Sequence, residues 1–553
     1  MTMRALVWLK RDLRRRDHAP LAEAARAEVA LAVYVLEPAW LASPECHPRQ
    51  VAWVLAALAE LRAALAARGL PLLVRCGPLP EIFERLREGC GFTHLLSHEE
   101  TGPGWTYDRD RAVARWCRAR GVVWREFAQT GVVRRLRSRD GWAARWQQRM
   151  DAAEVAPPAG WRGAVIEPDA LPTLQALGLP AAVPPTPAGE RAGRAVLDEF
   201  LPARSRGYRR HLSSPLSAER GCSRLSEHLA FGTLSMRSVH QATAVRIAAL
   251  AADSAGDAEA RGHAHDLRGF AGRLRWHCHF MQKLEDEPDI ERRNFARAAD
   301  GLRPGDGPDW DAAAQQRFAA WCEGRTGYPM VDACMRALLA TGWINFRMRA
   351  LLVSFAAYHL WLHWRPTGLH LARQLLDFEA GIHWSQMQMQ SGITGINALR
   401  IYSPTKQALD HDPEGVFIRR WVPELGGVPT AGLAAPWRLP ADMQQRAGCV
   451  IGRDYPAPLV DERTALHQAK DRLYALRATP AARAEAAAIQ GRHGSRKSGL
   501  PPTGRRSAGG ATTTGVATTA LGSASPTPGR AARGRGRAAA AGQRGLFDDE
   551  PGS

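Results

Sequence analysis

Within the first 130 residues, five short runs rich in β-branched and large apolar side chains (residues 5–9, 29–36, 71–75, 93–97 and 122–127) alternate with amphipathic helical stretches at 50–68, 80–88 and 107–120. Strands separated by helix-length segments pair in parallel, because each helix carries the chain back across the sheet. Residues 1–130 are therefore expected to form an α/β domain with a doubly wound parallel sheet. Neither GxGxxG nor GxxxxGK[ST] follows a strand, so no dinucleotide fingerprint or P-loop identifies a ligand for this domain.

The pattern then changes twice. Residues 131–190 are rich in Pro, Gly and Arg (VAPPAGWRG, LPAAVPPTPAG) and are expected to be an interdomain linker. From 191 to 478 the 3.6-residue apolar period dominates, as in AVLDEFL, RLSEHLAF, VDACMRALL and ALLVSFAAYHLWL, which predicts an all-α domain. Residues 479–553 are Ala, Gly, Ser, Thr and Pro with scattered Arg, too poor in large apolar groups to build a core, and are expected to be a disordered basic tail.

The formal net charge is +19, of which seven charges fall in residues 480–553, where 11 Lys and Arg stand against 4 Asp and Glu. The body of the chain stays basic and suits a polyanionic partner. Nine scattered cysteines without a CxxC pair fit reduced thiols in the cytoplasm better than a disulfide framework. No signal-peptide pattern and no run of about 18 apolar residues is present, so no membrane contact is expected. His277, Cys278 and His279 have metal-ligating chemistry, but neighbours two apart on a helix face different ways; a packing role and no metal are expected.

Residues 342–404 combine buried-type helices with inward polar groups. Arg347 and Arg349 point to different sides of one helix, so only one reaches water easily and the other needs a carboxylate. Asp377 and Glu379, in LLDFEAG, are the candidates. A structural salt bridge and the wall of a ligand site both satisfy this. The turn after Glu379 has too few bulky residues to fill a core alone, which suggests a ligand.

Several spaced motifs in fixed order, GRTGYPMVDACMRALLATGW, the Arg-x-Arg helix, LLDFEA, RIYSP and FIRRWVPEL, join SRLSEHLAFGTLSMR at 223–237 and VWLKRDLRRRDHAPL at 7–21. Together they resemble the photolyase/cryptochrome family of flavoproteins across roughly residues 3–475. The resemblance implies an FAD-binding catalytic domain at 191–478 and a light-harvesting antenna domain at 1–130, with an antenna chromophore of unknown type. It implies that Cys222, Ser223, Arg224, Leu225 and Ser226, with Tyr208 upstream, bind the pyrophosphate side of FAD. Ser223 also reads as a helix N-cap. Arg349 with Asp377 matches a buried pair beside the flavin, and Asn345, Phe378 and Glu379 fall on the same wall. With only Cys449 late in the catalytic domain, the branch holding an iron-sulfur cluster is excluded.

The departures from the family pattern are informative. His383 stands where Asn commonly faces flavin N5 and is expected to donate a hydrogen bond or shuttle a proton, since imidazole titrates near pH 6.5. Arg273 replaces the glutamate that contacts a pyrimidine dimer, next to the retained stacking Trp276. Phe346 replaces a substrate-contacting Asn, and Met389 the second aromatic of the dimer pocket. The electron-relay tryptophans are matched at Trp310 and Trp364, but Met387 occupies the flavin-proximal position, which leaves Trp361 and Trp384 as alternatives. Arg400, Lys406, Arg419 and Arg420, interleaved with Tyr402 and Trp421, suit a DNA-phosphate rim.

By resemblance the expected activity is light-driven repair of cyclobutane pyrimidine dimers in damaged DNA by a monomer. The alternative is a cryptochrome-like blue-light sensor. In the tail, Gln543, Leu546 and Phe547 resemble the short Gln-x-x-Leu-Phe peptides that dock on the DNA sliding clamp.

Overall fold

The structure, a computed structural model, describes residues 2–252, 257–305, 310–397 and 399–494. The tail positions Gln543, Leu546 and Phe547 lie outside the described residues. Strands β1 (Arg4–Leu9), β2 (Val29–Leu36), β3 (Leu72–Cys76), β4 (His94–His98) and β5 (Val123–Phe127) fall within one residue of the expected runs. They form one all-parallel sheet in the order β3-β2-β1-β4-β5. Central β1 is buried from Ala5 to Leu9, as a strand covered on both faces must be. Helices α1 (Pro48–Ala66), α2 (Leu79–Cys90) and α3 (Gly104–Arg120) cover the sheet.

The segment 131–190 is more than a linker. Helix α4 (Trp142–Asp151) lies within it, and Trp142, Trp146 and Met150 are buried in the core of the helical domain. Three large apolar groups at helical spacing outweigh the flanking Pro and Gly. Further on, Trp161 Nε1 donates to Leu21 O at 2.9 Å and Gly163 bridges to Ala30, so the chain returns to the sheet before leaving it.

The second half is helical, as expected. Its elements used below are α5 (Tyr208–His211), α6 (Ser226–Ala230), α7 (Met236–Ala252), α8 (Ala258–Asp286), α9 (Pro329–Thr341), α10 (Phe346–Ser354), α11 (Trp364–Gln374) and α12 (Ala380–Gln390). The expected boundary at 478 is also corrected. Residues 479–494 belong to the folded body, with helix α13 (Pro480–His493) capped by Thr479, whose hydroxyl accepts from Ala482 N. Glu485 of α13 accepts from Arg297 N and Ala298 N at 2.6 and 2.8 Å, and His493 is buried against Phe295 and Glu287. Composition alone hid these anchors among alanines. Among the described residues no helix is long and apolar enough to cross a membrane.

Candidate cofactor site

Two parallel helices frame the site. α8 and α12 run side by side in the same direction: His277 meets Glu379, Gly381 sits on Met281, and Gln388 binds the loop beyond α8 through Ile290 O, Arg293 O and Phe295 N. A Cβ at Gly381 would lie 2.6 Å from the Met281 Cα, so only glycine permits this approach.

Arg349, on α10, donates through Nη2 to both carboxylate oxygens of Asp377 at 3.1 and 3.2 Å, closing the pair expected from sequence. Its Nε is buried and has no protein partner, which is the state of a donor arranged for a ligand. Phe378 follows, packed edge-on against His383 and Trp384. Asn345 Nδ2 donates to Leu212 O at 2.9 Å, tying α10 to the loop after α5.

On the other side, Tyr208 is buried with its ring against Phe200 and Phe270, and burial pushes its phenol pKa up. Cys222 is buried next to it. Ser223 does not cap a helix. α6 starts at Ser226 with Leu225 at its N-cap, and Ser226 Oγ donates to Glu227 at 3.3 Å. The cause is Arg224, whose φ of +59° breaks the turn before the helix and sends its guanidinium 3.9 Å over the Trp343 ring. Arg273 turns toward this cluster: burial lowers its pKa, and Tyr208, Arg209 and Cys222 are its electrostatic neighbours. Of these, Tyr208 and Cys222 are among the residues expected on the pyrophosphate side of FAD.

His383 differs from expectation. Its Nε2 contacts Gly368 O at 2.9 Å, so Nε2 carries the proton and the ring pins α12 to α11. Burial pushes its pKa down to about 3, which removes the proton-shuttle role at physiological pH. Trp276 is half-buried, edge-on to His279 and tilted on Phe280. Met389, also half-buried, is ten residues beyond Glu379, about 15 Å along the helix direction. Trp276 and Met389 thus occupy opposite ends of the seam.

Sequence reasoning missed His277. Its Nε2 lies 2.6 Å from Glu379 Oε2. Burial pushes the imidazole down, but the carboxylate beside it outweighs this and holds its pKa up at about 10. Only the complementary spacing of 277 and 379 on two parallel helices creates the pair, and a single sequence does not display that. A cavity of about 60 Å3 opens beside it between the two domains, bounded by Arg11, Arg14, Glu99, Glu100, His277 and Glu379.

The indole of Trp384 is edge-on to Trp364 at 5.9 Å and to His383 at 4.8 Å. Met387, one turn later, packs with Trp384 against Gly368. Trp364 Nε1 donates to Asn294 Oδ1 at 2.7 Å, while the ring of Trp310 packs on Phe318. Of the basic residues, Arg419 is structural, donating to Glu414 O, Val428 O and Thr430. Lys406 and Arg420 are exposed and paired with Asp410 and Glu219. Arg400 is half-buried.

Asp12, His18 and His98 form a buried cluster with metal-ligand geometry. However, His18 Nδ1 accepts Leu21 N–H, which puts the ring proton on Nε2, facing Asp12 Oδ2 at 3.0 Å. That proton blocks a metal ligand, so the cluster is a hydrogen-bonded support for the sheet.

Two family profiles match the chain. The FAD binding domain of DNA photolyase matches residues 270–475, and DNA photolyase matches residues 5–143. The deoxyribodipyrimidine photo-lyase of Escherichia coli is 30% identical over 485 residues, covering 83% of this chain and 96% of the relative. A cryptochrome DASH of Gloeobacter violaceus is 29% identical over 496 residues, covering 83% and 93%. A bacterial class III photolyase from Agrobacterium tumefaciens superposes with a TM-score of 0.75 at 26% identity, covering 87% of this chain and 98% of that one.

Proposed function

The chain belongs to the photolyase/cryptochrome family of FAD-binding flavoproteins, and from that premise we propose that it repairs cyclobutane pyrimidine dimers in DNA, driven by light. One observation carries the choice of repair over sensing. Trp276 presents a half-exposed indole at the cofactor end of α8, fixed by His279 and Phe280, next to the ion pair of His277 and Glu379. Such a platform stacks a base that has left the helix, and a distorted lesion costs least to extrude.

The fit of FAD rests on the orphaned Arg349 Nε and the row of polar groups around it. Tyr208, Cys222, Ser223, Arg224, Leu225 and Ser226 would hold the pyrophosphate side. Asn345, Arg349, Asp377, Phe378, Glu379 and His383 would hold the flavin. Bound FAD supplies light absorption and electron transfer; the protein supplies orientation, dryness and charge. Arg349 and Asp377 keep opposite charges fixed at the cofactor wall, Arg273 adds a cation on the phosphate side, and His383 offers a neutral ring. Trp384 and Trp364 form the inner relay, with Trp310 further out.

An antenna chromophore would sit at the carboxyl ends of β1 and β2, where a cleft of about 40 Å3 is walled by Trp8, Tyr34, Trp40, Trp105 and Arg109. Open parallel sheets bind ligands at these ends. Lys406, Arg420 and Arg400 would contact phosphates, with the protein acting as a cytoplasmic monomer and its tail peptide engaging the sliding clamp. The sensing alternative draws support from Phe346, which removes a polar contact that the family pattern gives to the lesion. Illuminating the purified protein with a dimer-containing oligonucleotide separates the two: restored thymines support repair, and intact dimers with photoreduced flavin support sensing.

A further inference from the structure

We propose that His277 is a positioning residue for Glu379, a buried imidazolium that holds this carboxylate ionised on the cofactor side and exchanges its proton with the cavity between the two domains. This rests on the reading of Glu379 as a wall of the FAD site.

The geometry supports it in three ways. The contact of 2.6 Å between His277 Nε2 and Glu379 Oε2 is that of a charge-assisted hydrogen bond, and the two side chains are 14% and 11% exposed. Glu379 has no other ion-pair partner among the described residues, because the neighbouring cations are committed elsewhere. Arg11 bonds Ala230 O and Phe378 O and lies 3.9 Å from Glu100, while Arg14 bonds Gly232 O, Asp17 O and Gln129. Finally, His277 Nδ1 is buried without a protein partner, on a ring that borders the cavity. A polar cavity of about 60 Å3 has room for water, which needs an opening of only about 10–15 Å3 and several polar partners.

The groups facing His277 are Glu379 from the start of α12, Cys278 on its own helix, and Arg11, Arg14, Glu99 and Glu100 across the cavity. Across it two arginines face two glutamates, so the pair with Glu379 decides the charge of His277. An imidazolium in this position makes the cofactor wall insensitive to pH over the neutral range. Without it, a buried carboxylate takes up a proton as pH falls through neutrality.

The test uses the full FAD-loaded chain and measures FAD dissociation by flavin fluorescence from pH 6 to 9. Wild type and His277→Arg should give flat profiles. His277→Gln should lose FAD affinity as pH falls, by up to about tenfold per pH unit, the limit for one linked proton. The double variant His277→Gln/Glu379→Gln should be flat again. A flat profile for folded His277→Gln overturns the proposal. A second readout uses the FAD-free chain: nitrogen-15 spectra should show His277 doubly protonated at pH 8, and an imidazole titrating near 6.5 overturns the proposal as well. If wild type binds no FAD at any pH, the FAD reading fails, while the spectra still decide the ion pair.

Discussion

The indole rings of Trp364 and Trp384 meet edge-to-face at 5.9 Å, both wholly buried, and Trp384 occupies the same helix face as Met387, one turn earlier. An aromatic ring one turn from Met387 thus touches Trp364, an expected relay position. Trp361 is a poorer conduit. Its ring lies between the guanidinium groups of Arg303 and Arg472, at 4.6 and 4.7 Å, and two flanking cations oppose an oxidised indole. Flavin photoreduction should fall at least tenfold in Trp384→Phe and in Trp364→Phe, and stay near wild type in Trp361→Phe. Met387→Trp should speed it. Unchanged photoreduction in Trp384→Phe would remove this path.

Arg349→Ala and Asp377→Ala should each yield protein largely without FAD, read from flavin absorbance after purification. Each change leaves one charge of a largely buried pair uncompensated, at a cost of about 3–5 kcal/mol in stability. Full flavin retention by both variants would sink the assignment of the cofactor wall.

Acid should unfold the protein early. Burial pushes His98 and His383 down to about 3, and His228, His359 and His370 to about 4, from an ordinary value near 6.5. Between those values the unfolded chain binds protons that the folded chain refuses. Their contribution to stability is therefore complete above pH 6.5 and declines as pH falls, by about 1.4 kcal/mol per pH unit for each histidine. Denaturant midpoints between pH 4.5 and 7.5 should show this slope, and His383→Asn should reduce it by one histidine's share.

The sheet domain was legible because strands buried on both faces leave long apolar runs and the helices between them are amphipathic. The helical half was legible from its period; the demand of a buried cation for a carboxylate pointed to Asp377 and Glu379, and only the family resemblance paired Arg349 with Asp377. The misses share one cause. Trp142, Trp146 and Met150 sit among prolines and glycines, and Glu485 and His493 sit among alanines, so local composition argued for loop. His277 and His383 turn on contacts across helices: Glu379 raises the pKa of one, and Gly368 O fixes the tautomer of the other.

DNA binding should weaken steeply with salt, by counterion release. Lys406→Ala and Arg420→Ala should each lower the log-log slope by about one, since both side chains are exposed and their acidic partners are surface groups that phosphate can displace. Arg419→Ala should instead lower thermal stability, because it removes the donor that joins Glu414, Val428 and Thr430. A slope near zero for wild type would contradict a phosphate-contacting rim.

The sequence Gln543-Arg544-Gly545-Leu546-Phe547 is an apolar-ended pentapeptide in a region otherwise poor in large side chains. If it docks on the sliding clamp, Leu546 and Phe547 fill a hydrophobic pocket and Gln543 bonds at its edge, with Asp548, Asp549 and Glu550 left in solvent. A short peptide ordered on binding gives up part of its contact energy to lost chain entropy, which places its affinity in the micromolar range. A peptide of residues 539–553 should therefore bind the host clamp with a Kd of about 1 to 50 micromolar, equivalent to roughly 6–8 kcal/mol. Leu546→Ala with Phe547→Ala should abolish binding in the full chain and leave flavin content unchanged, because every residue assigned to the FAD site lies between Tyr208 and His383. Calorimetry showing no heat at 100 micromolar peptide would leave the pentapeptide without a partner.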